Sequence, residues 1–328
     1  MESWSKQAER GTYSGILLSA WIYKLLGRRI TLALLAPVVG FFYLSGHKQR
    51  RASRDYLERA WRDGLLKKRP GVSTGFSHFM AFAGSMLDKV ASWTGKIRPE
   101  QIEGVNEGLF DEAKRSGRGG VVLTAHIGNP ELIRGVATVN RRFPVTVLVH
   151  TQNAENFNAV INRFSADSTV RVVQVEEIDI SIAMKLSEAV ENGEWVVLTA
   201  DRSPPGELRE SAMLPVRFLG DTARFPAGPF ILASALKCPT YFLACVRRKG
   251  KPPFRIDFRL LADPVTLPRR DREAAIKTYM ELYAEMLRDV LVEAPLQWFN
   301  FFDYWGKAGS SQNAHADTAT ADKTEHQA

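Results

Sequence analysis

The sequence predicts an α/β protein: a mostly parallel central sheet flanked by helices, with an N-terminal membrane-associated helical segment. Three observations carry this. Short β-branched runs alternate with helical segments from Gly119 onward. One pentapeptide, VVLTA, ends two of those runs, at 121–125 and 196–200. A 17-residue stretch without a charge, Ile30–Gly46, lies within the most basic part of the chain.

The N-terminal segment comes first. The 328-residue chain carries a formal charge of +8, which implies an anionic partner. Residues 1–70 hold 14 Lys and Arg against 5 Asp and Glu, whereas the remainder holds 30 against 31. The excess therefore belongs to the segment that is also the most apolar. A 17-residue helix spans roughly 25 Å, slightly less than the roughly 30 Å hydrocarbon core. Pro37 and Gly40 are expected to bend it. Lys24, Arg28 and Arg29 precede the run, and Lys48, Arg50, Arg51 and Arg54 follow it. Basic clusters on both sides give no orientation by charge. A monotopic anchor or shallow hairpin is expected, with its arginines at anionic headgroups. Glu2, Lys6, Glu9 and Arg10 before the first apolar run argue against a cleaved signal peptide.

Residues 51–116 read as helices, with a stop at Pro70–Gly71 and an apolar helical pattern in SHFMAFAGSMLDKVASW. Strands are expected at 119–125, 144–150, 169–175 and 194–200, with helices near 130–139, 154–165 and 180–192. That alternation indicates βαβ units. Further strands are expected at 214–218, 239–247 and 254–261, then a helix at about 271–292. The expected division is an anchor segment at 1–50, the main domain at 51–305 and a disordered tail at 306–328. Cys238 and Cys245 form neither a disulfide framework nor a metal knuckle.

The two VVLTA strands end in different chemistry, His126 after the first and Asp201-Arg202 after the second. Ligands gather at the carboxyl ends of strands in open α/β sheets, so both ends are candidate walls of one crevice. In Thr124-Ala125-His126-Ile127-Gly128-Asn129-Pro130-Glu131-Leu132, Asn129 is a helix N-cap and Pro130 fits the first helical position. His126 then lies on the strand-to-helix turn, made cheap by Gly128, and Glu131 lies in the first helical turn. Glu131 could hold one imidazole nitrogen while the other takes a proton from a substrate hydroxyl. No Ser or Cys is placed to complete a triad, so direct transfer to an acceptor hydroxyl is the simpler chemistry.

TAHIGNPEL resembles the "aHlGNWE" signature of the lipid A late-acyltransferase branch of the lysophospholipid acyltransferase superfamily. TADRSPPG (199–206), VRFLGDTARFPAGPFILASALKCPTYF (216–242) and PLQWFNFFDYW (295–305) resemble its later blocks, in order. Pro130 stands where the branch has an aromatic residue, and His150-Thr151-Gln152 where it has a Tyr-Arg pair. Both departures lie on the expected acceptor side. The resemblance implies O-acyl transfer from acyl carrier protein or acyl-CoA to a lipid or glycolipid hydroxyl, on the cytoplasmic face of an inner membrane. His126 and Glu131 are the implied catalytic pair, without metal or cofactor. Asn129, Asp201, Arg202, Arg224 and Gly228 are the implied substrate-binding residues. Arg202 and Arg224 are candidates for stabilising the oxyanion or for binding donor and acceptor phosphates. Asp201 is expected to orient Arg202. The stretch Arg224–Gly228 (RFPAG) is expected to shape a backbone pocket opening a helix. FNFFDYW also resembles a side branch found with polyene-type lipid pathways.

Other motifs are excluded by context. Gly71-Val72-Ser73-Thr74-Gly75 fits G-x-S-x-G, but Lys67-Lys68-Arg69-Pro70 precedes it and not a strand. His47 and His78 have no acidic partner at useful spacing. A lipid hydrolase and a non-enzymatic lipid- or nucleic-acid-binding protein are the rival classes. Nucleic acid is disfavoured because the basic residues are interleaved with the apolar run.

Overall fold

A computed structural model of the chain describes residues 13–93, 96–105, 107–130, 132, 144–149, 170–174, 180–202 and 212–305. The elements are α1 (Tyr13–Ser45), α2 (His47–Arg62), α3 (Val72–Trp93), β1 (Ile102–Val105), α4 (Glu107–Arg115), β2 (Gly120–Gly128), β3 (Val145–Val149), β4 (Val170–Gln174), α5 (Ile180–Glu191), β5 (Trp195–Thr199), β6 (Met213–Phe218), β7 (Asp221–Pro226), α6 (Gly228–Leu236), β8 (Thr240–Arg247), β9 (Phe254–Ala262) and α7 (Arg272–Glu293). A seven-stranded sheet runs in the order β1-β9-β8-β2-β5-β3-β4. Every pairing in it is parallel except β8 with β9. The predicted fold class is the observed one, and each predicted strand is a strand.

Two elements differ from the expectation. The region read as helical contains β1, which pairs in parallel with β9 at the sheet edge. Four residues are too few for a period-two pattern to show. Asp221–Pro226 forms β7, which pairs with β6 in a separate two-stranded sheet. The RFPAG stretch is therefore divided: Arg224–Pro226 belongs to a strand, and Gly228 opens α6. The expected helix at 154–165 and the tail at 306–328 lie outside the described residues, as does most of 130–139.

The repeated pentapeptide sets the centre of the sheet. Val121, Val122, Leu123 and Thr124 of β2 pair in register with Val196, Val197, Leu198 and Thr199 of β5. Both strands are covered by neighbours, which is why they read as continuous apolar runs. Tyr283 of α7 packs against Phe225, Phe230 and Phe242 on one face of this sheet.

The apolar N-terminal run is part of α1, which passes through Pro37 and Gly40 and is broken at Gly27 (φ 74°) instead. Only glycine adopts that backbone without strain. Thr31 Oγ1 donates to the carbonyl thereby released at Gly27, at 2.8 Å. Next to the break, Arg28 forms a bidentate pair with Asp88 of α3, at 2.8 and 3.1 Å. Arg247 of β8 grips the same carboxylate, at 2.9 and 3.1 Å. A buried carboxylate left unpaired costs several kcal/mol, so two guanidiniums on it fix α1 to the domain. Tyr43 is buried between Phe76 and Phe79 of α3. The opposite face leaves Leu25, Ile30, Leu34, Val38, Phe41 and Leu44 exposed. Leu25–Ser45 is long and apolar enough to cross a membrane by length and composition.

His78 of α3 is fully buried. Its Nε2–H donates to the Trp298 carbonyl at 2.9 Å, and its Nδ1 accepts from the Ser53 hydroxyl of α2 at 2.8 Å. Burial pulls this imidazole down from 6.5 to about 4, against the opposing pull of the Trp298 carbonyl. Unfolded His78 takes up a proton near pH 6.5, whereas the folded ring resists until about pH 4. Stability is therefore lost as the pH falls through that window. Urea unfolding at pH 7 and pH 5 is expected to show a loss of about 2 kcal/mol from this residue. In His78→Asn that share of the pH dependence disappears.

Candidate functional site

β2 is irregular at its carboxyl end. Thr124 pairs with Leu243 of β8, but the next pair is Gly128 with Cys245, so four residues of β2 span two of β8. Such a bulge re-aims side chains. Gly128 makes it possible: its φ is +56°, and a Cβ there would lie 2.0 Å from the Cys245 carbonyl oxygen. The released stretch is taken up by the segment after α7. The Gly128 N–H donates to Gln297 O, the Phe299 N–H donates to His126 O, and Ile127 bridges Trp298. Gln297 is anchored by two hydrogen bonds to the Arg247 backbone. His126 thus lies on an extended strand end gripped from the far side, and not on a free turn.

The in-register VVLTA strands bring His126 and Asp201 together. Asp201 Oδ1 accepts from His126 Nδ1 at 2.8 Å. Oδ2 accepts from the His126 backbone N–H at 3.0 Å and from Trp298 Nε1 at 2.9 Å. The side chain of Asp201 is 2% exposed and that of His126 is 31% exposed. Burial alone would raise the Asp201 carboxyl. The charge and hydrogen bonds of His126, with the Arg202 charge, outweigh it and hold the carboxyl at about 2. The ordinary value is 3.8, so this carboxylate stabilises the fold above pH 4 and that contribution is lost between pH 4 and 2. Tyr304 donates to the Asp201 carbonyl at 2.6 Å, and Tyr283 donates to the Thr124 carbonyl at 2.8 Å. Burial and the charge of Asp201 push both phenols upward, so they remain donors.

The second imidazole nitrogen is also engaged. Arg202 Nε donates to His126 Nε2 at 3.1 Å, and the guanidinium lies over the Phe302 ring at 5.4 Å. A nitrogen that accepts from a guanidinium carries a lone pair. The ring is therefore neutral, with its proton on Nδ1 facing Asp201.

Of the residues singled out in the sequence, the structure joins His126, Asp201 and Arg202. The expectation that Asp201 orients Arg202 is revised: its carboxylate hydrogen-bonds to His126 and Trp298, and Arg202 senses its charge. Glu131 lies outside the described residues, as do His150–Gln152. Asn129 is buried; its N–H donates to Cys245 O and its carbonyl accepts from Leu132 N–H, as at a helix start. Among the described residues, its buried Nδ2 has no hydrogen-bond partner. Arg224 donates to the Met213 carbonyl inside the β6–β7 hairpin at 3.0 Å. Among the described residues, no three or more His, Cys, Asp and Glu side chains are grouped to hold a metal ion. Both cysteines are buried, and burial pushes their thiols up.

Two roles were missed in the sequence. Asp201 was legible as His126's partner: aligning the two VVLTA copies sets Ala125 beside Ala200 and His126 beside Asp201. Trp298 is 1% exposed and also holds the carboxylate.

A family model described as bacterial lipid A biosynthesis acyltransferase matches residues 21–307. No curated protein matches the chain.

Trp298→Phe keeps a ring in the aromatic cluster but leaves Oδ2 of Asp201 one donor short. The expected cost is about 3 kcal/mol in urea unfolding, more than the lost ring area alone explains.

Proposed function

Because the chain belongs to the bacterial lipid A biosynthesis acyltransferase family, we propose that it moves a fatty acyl group from a thioester to a lipid or glycolipid hydroxyl, with His126 as general base. The observation that carries this reading is the His126–Asp201 pair, which presents Nε2 as the basic nitrogen at a partly exposed strand end. The acceptor hydroxyl gives its proton to Nε2 as its oxygen attacks the thioester carbonyl carbon. The tetrahedral oxyanion collapses, the C–S bond breaks, and the thiolate recovers the proton from Nε2. The products are an ester and a free thiol. Asp201 holds Nδ1–H throughout and stabilises the imidazolium formed in between.

Glu131, which the sequence motif pairs with His126, enters the proposal as a second carboxylate acting on the imidazolium from the following helical turn. Acyl carrier protein or coenzyme A is the proposed thiol carrier. Asn129, Arg224 and Gly228 are proposed to line the substrate path. The exposed apolar row of α1 is proposed to lie in the cytoplasmic leaflet of an inner membrane, with the basic residues of α2 at its headgroups. Packing against α3 and the Arg28–Asp88–Arg247 cluster support a helix lying along the domain. Residues 1–50 are proposed as the anchor and 51–305 as the catalytic domain.

Mass spectrometry of lipid extracts from cells with and without the protein identifies the acylated product. His126→Ala is expected to abolish that product. Asp201→Asn is expected to lower the transfer rate roughly 10³-fold with little change in KM. Product at near the parent rate in His126→Ala would remove the base assignment. For the membrane face, Leu34→Glu with Val38→Glu and Phe41→Glu is expected to shift the protein from the membrane pellet to the supernatant. Continued sedimentation with membranes would count against α1 as the contact.

A further inference from the structure

We propose that the side-chain amide of Asn300 receives the thioester end of a pantetheine arm: Nδ2 donates to the thioester carbonyl oxygen, and Oδ1 accepts from the amide N–H two methylenes beyond the sulfur. This rests on the reading of a thioester donor and names the part of the donor that the site recognises. Asn300 is 2% exposed, and among the described residues neither Nδ2 nor Oδ1 has a hydrogen-bond partner. Its backbone N–H is used, donating to the Trp298 carbonyl at 2.9 Å. The large majority of buried polar side-chain atoms are paired, because an unpaired one loses its water and gains nothing in return. Both atoms are unpaired here, so the deficit is the same whichever way round the amide is assigned.

The place of Asn300 in the fold points to the thioester. The segment after α7 passes around His126: the Phe299 N–H donates to the His126 carbonyl at 2.8 Å, and Phe302 lies under the guanidinium that donates to Nε2. Asn300 stands between these two contacts, on the stretch that leads from the backbone of the base to its basic nitrogen. Phe299 and Phe301, on either side of it, both pack on α3 against His78 and Phe82. A side-chain amide set among these rings, with its donor and acceptor both unpaired, is complementary to a ligand that offers one acceptor and one donor close together. Acyl carrier protein and coenzyme A, the proposed carriers, present the same such arm: acyl carbonyl, sulfur, two methylenes and an amide N–H. A neutral donor fixed in a place that excludes water also strengthens its bond as the carbonyl oxygen becomes an oxyanion, with no reorganisation at that moment.

Asn300→Leu keeps the branched side-chain skeleton and removes both unpaired atoms. Its urea midpoint is expected to rise above that of the parent, because an apolar isostere carries no desolvation loss. A lower midpoint would show that the amide has a structural partner, a trapped water included, and would overturn the proposal. Equilibrium binding, with no acceptor lipid in the sample, then compares S-decanoyl-N-acetylcysteamine with S-(2-acetoxyethyl) thiodecanoate, in which oxygen replaces the N–H. The parent is expected to prefer the first by about tenfold or more, and Asn300→Leu to bind the two within about twofold of each other. Equal affinities in the parent would overturn the proposal, and this arm needs no variant to fold; a preference kept in Asn300→Leu would overturn it as well. Neither measurement involves turnover, so failure of the acyltransferase reading shows separately, as the absence of acylated product with the parent.

Discussion

A single buried carboxylate organises the site. Asp201 is 2% exposed at its side chain, yet ionised, and a charge so placed survives only if both of its oxygens find donors. Its three donors come from two places in the chain: the backbone and ring of His126 on β2, and the indole of Trp298 beyond α7. Satisfying Asp201 therefore fixes the bulged end of β2, the path of the C-terminal segment and the tautomer of the imidazole together. The chemistry and the fold share one constraint.

The C-terminal segment is the strap that makes this work. Gln297 ties it to β8, Trp298 to Asp201, Phe299 to the His126 carbonyl, and Tyr304 to the Asp201 carbonyl. His78 carries the same strap to the helices beneath, through the Trp298 carbonyl and Ser53. The apolar helix α1 is held to this body by Arg28 on Asp88, a carboxylate shared with Arg247 at the end of β8. A continuous set of contacts thus runs from the exposed apolar face to the strand end that carries His126.

Much of this was legible in the sequence, and the remainder was not for physical reasons. The alternation of β-branched runs and helices gave the parallel sheet, and the apolar run gave α1. His126 stood out because it ends a buried strand ahead of Gly128 and Asn129. The partner of His126 was harder: proximity along the chain pointed to Glu131, while the structure sets Asp201 against Nδ1 from 75 positions away. Strand register carries that information, and the matching VVLTA copies encode it. The break in α1 falls at Gly27 and not at Pro37, next to Arg28 and its pairing with Asp88, a long-range contact with no local signature. β1 was missed because four residues hold too little pattern, and β7 because the RFPAG stretch was read as a pocket opening a helix.

The central claim is that Asp201 fixes His126 with its proton on Nδ1 and its lone pair on Nε2. Nitrogen-15 NMR of histidine-labelled protein at pH 8 reads this directly, since the two ring nitrogens resonate far apart according to which one is protonated. The account predicts a protonated Nδ1 and an unprotonated Nε2 for His126, a pattern that persists in Glu131→Gln and is lost in Asp201→Asn. A proton on Nε2 in the parent, or a pattern unchanged by Asp201→Asn, would contradict it.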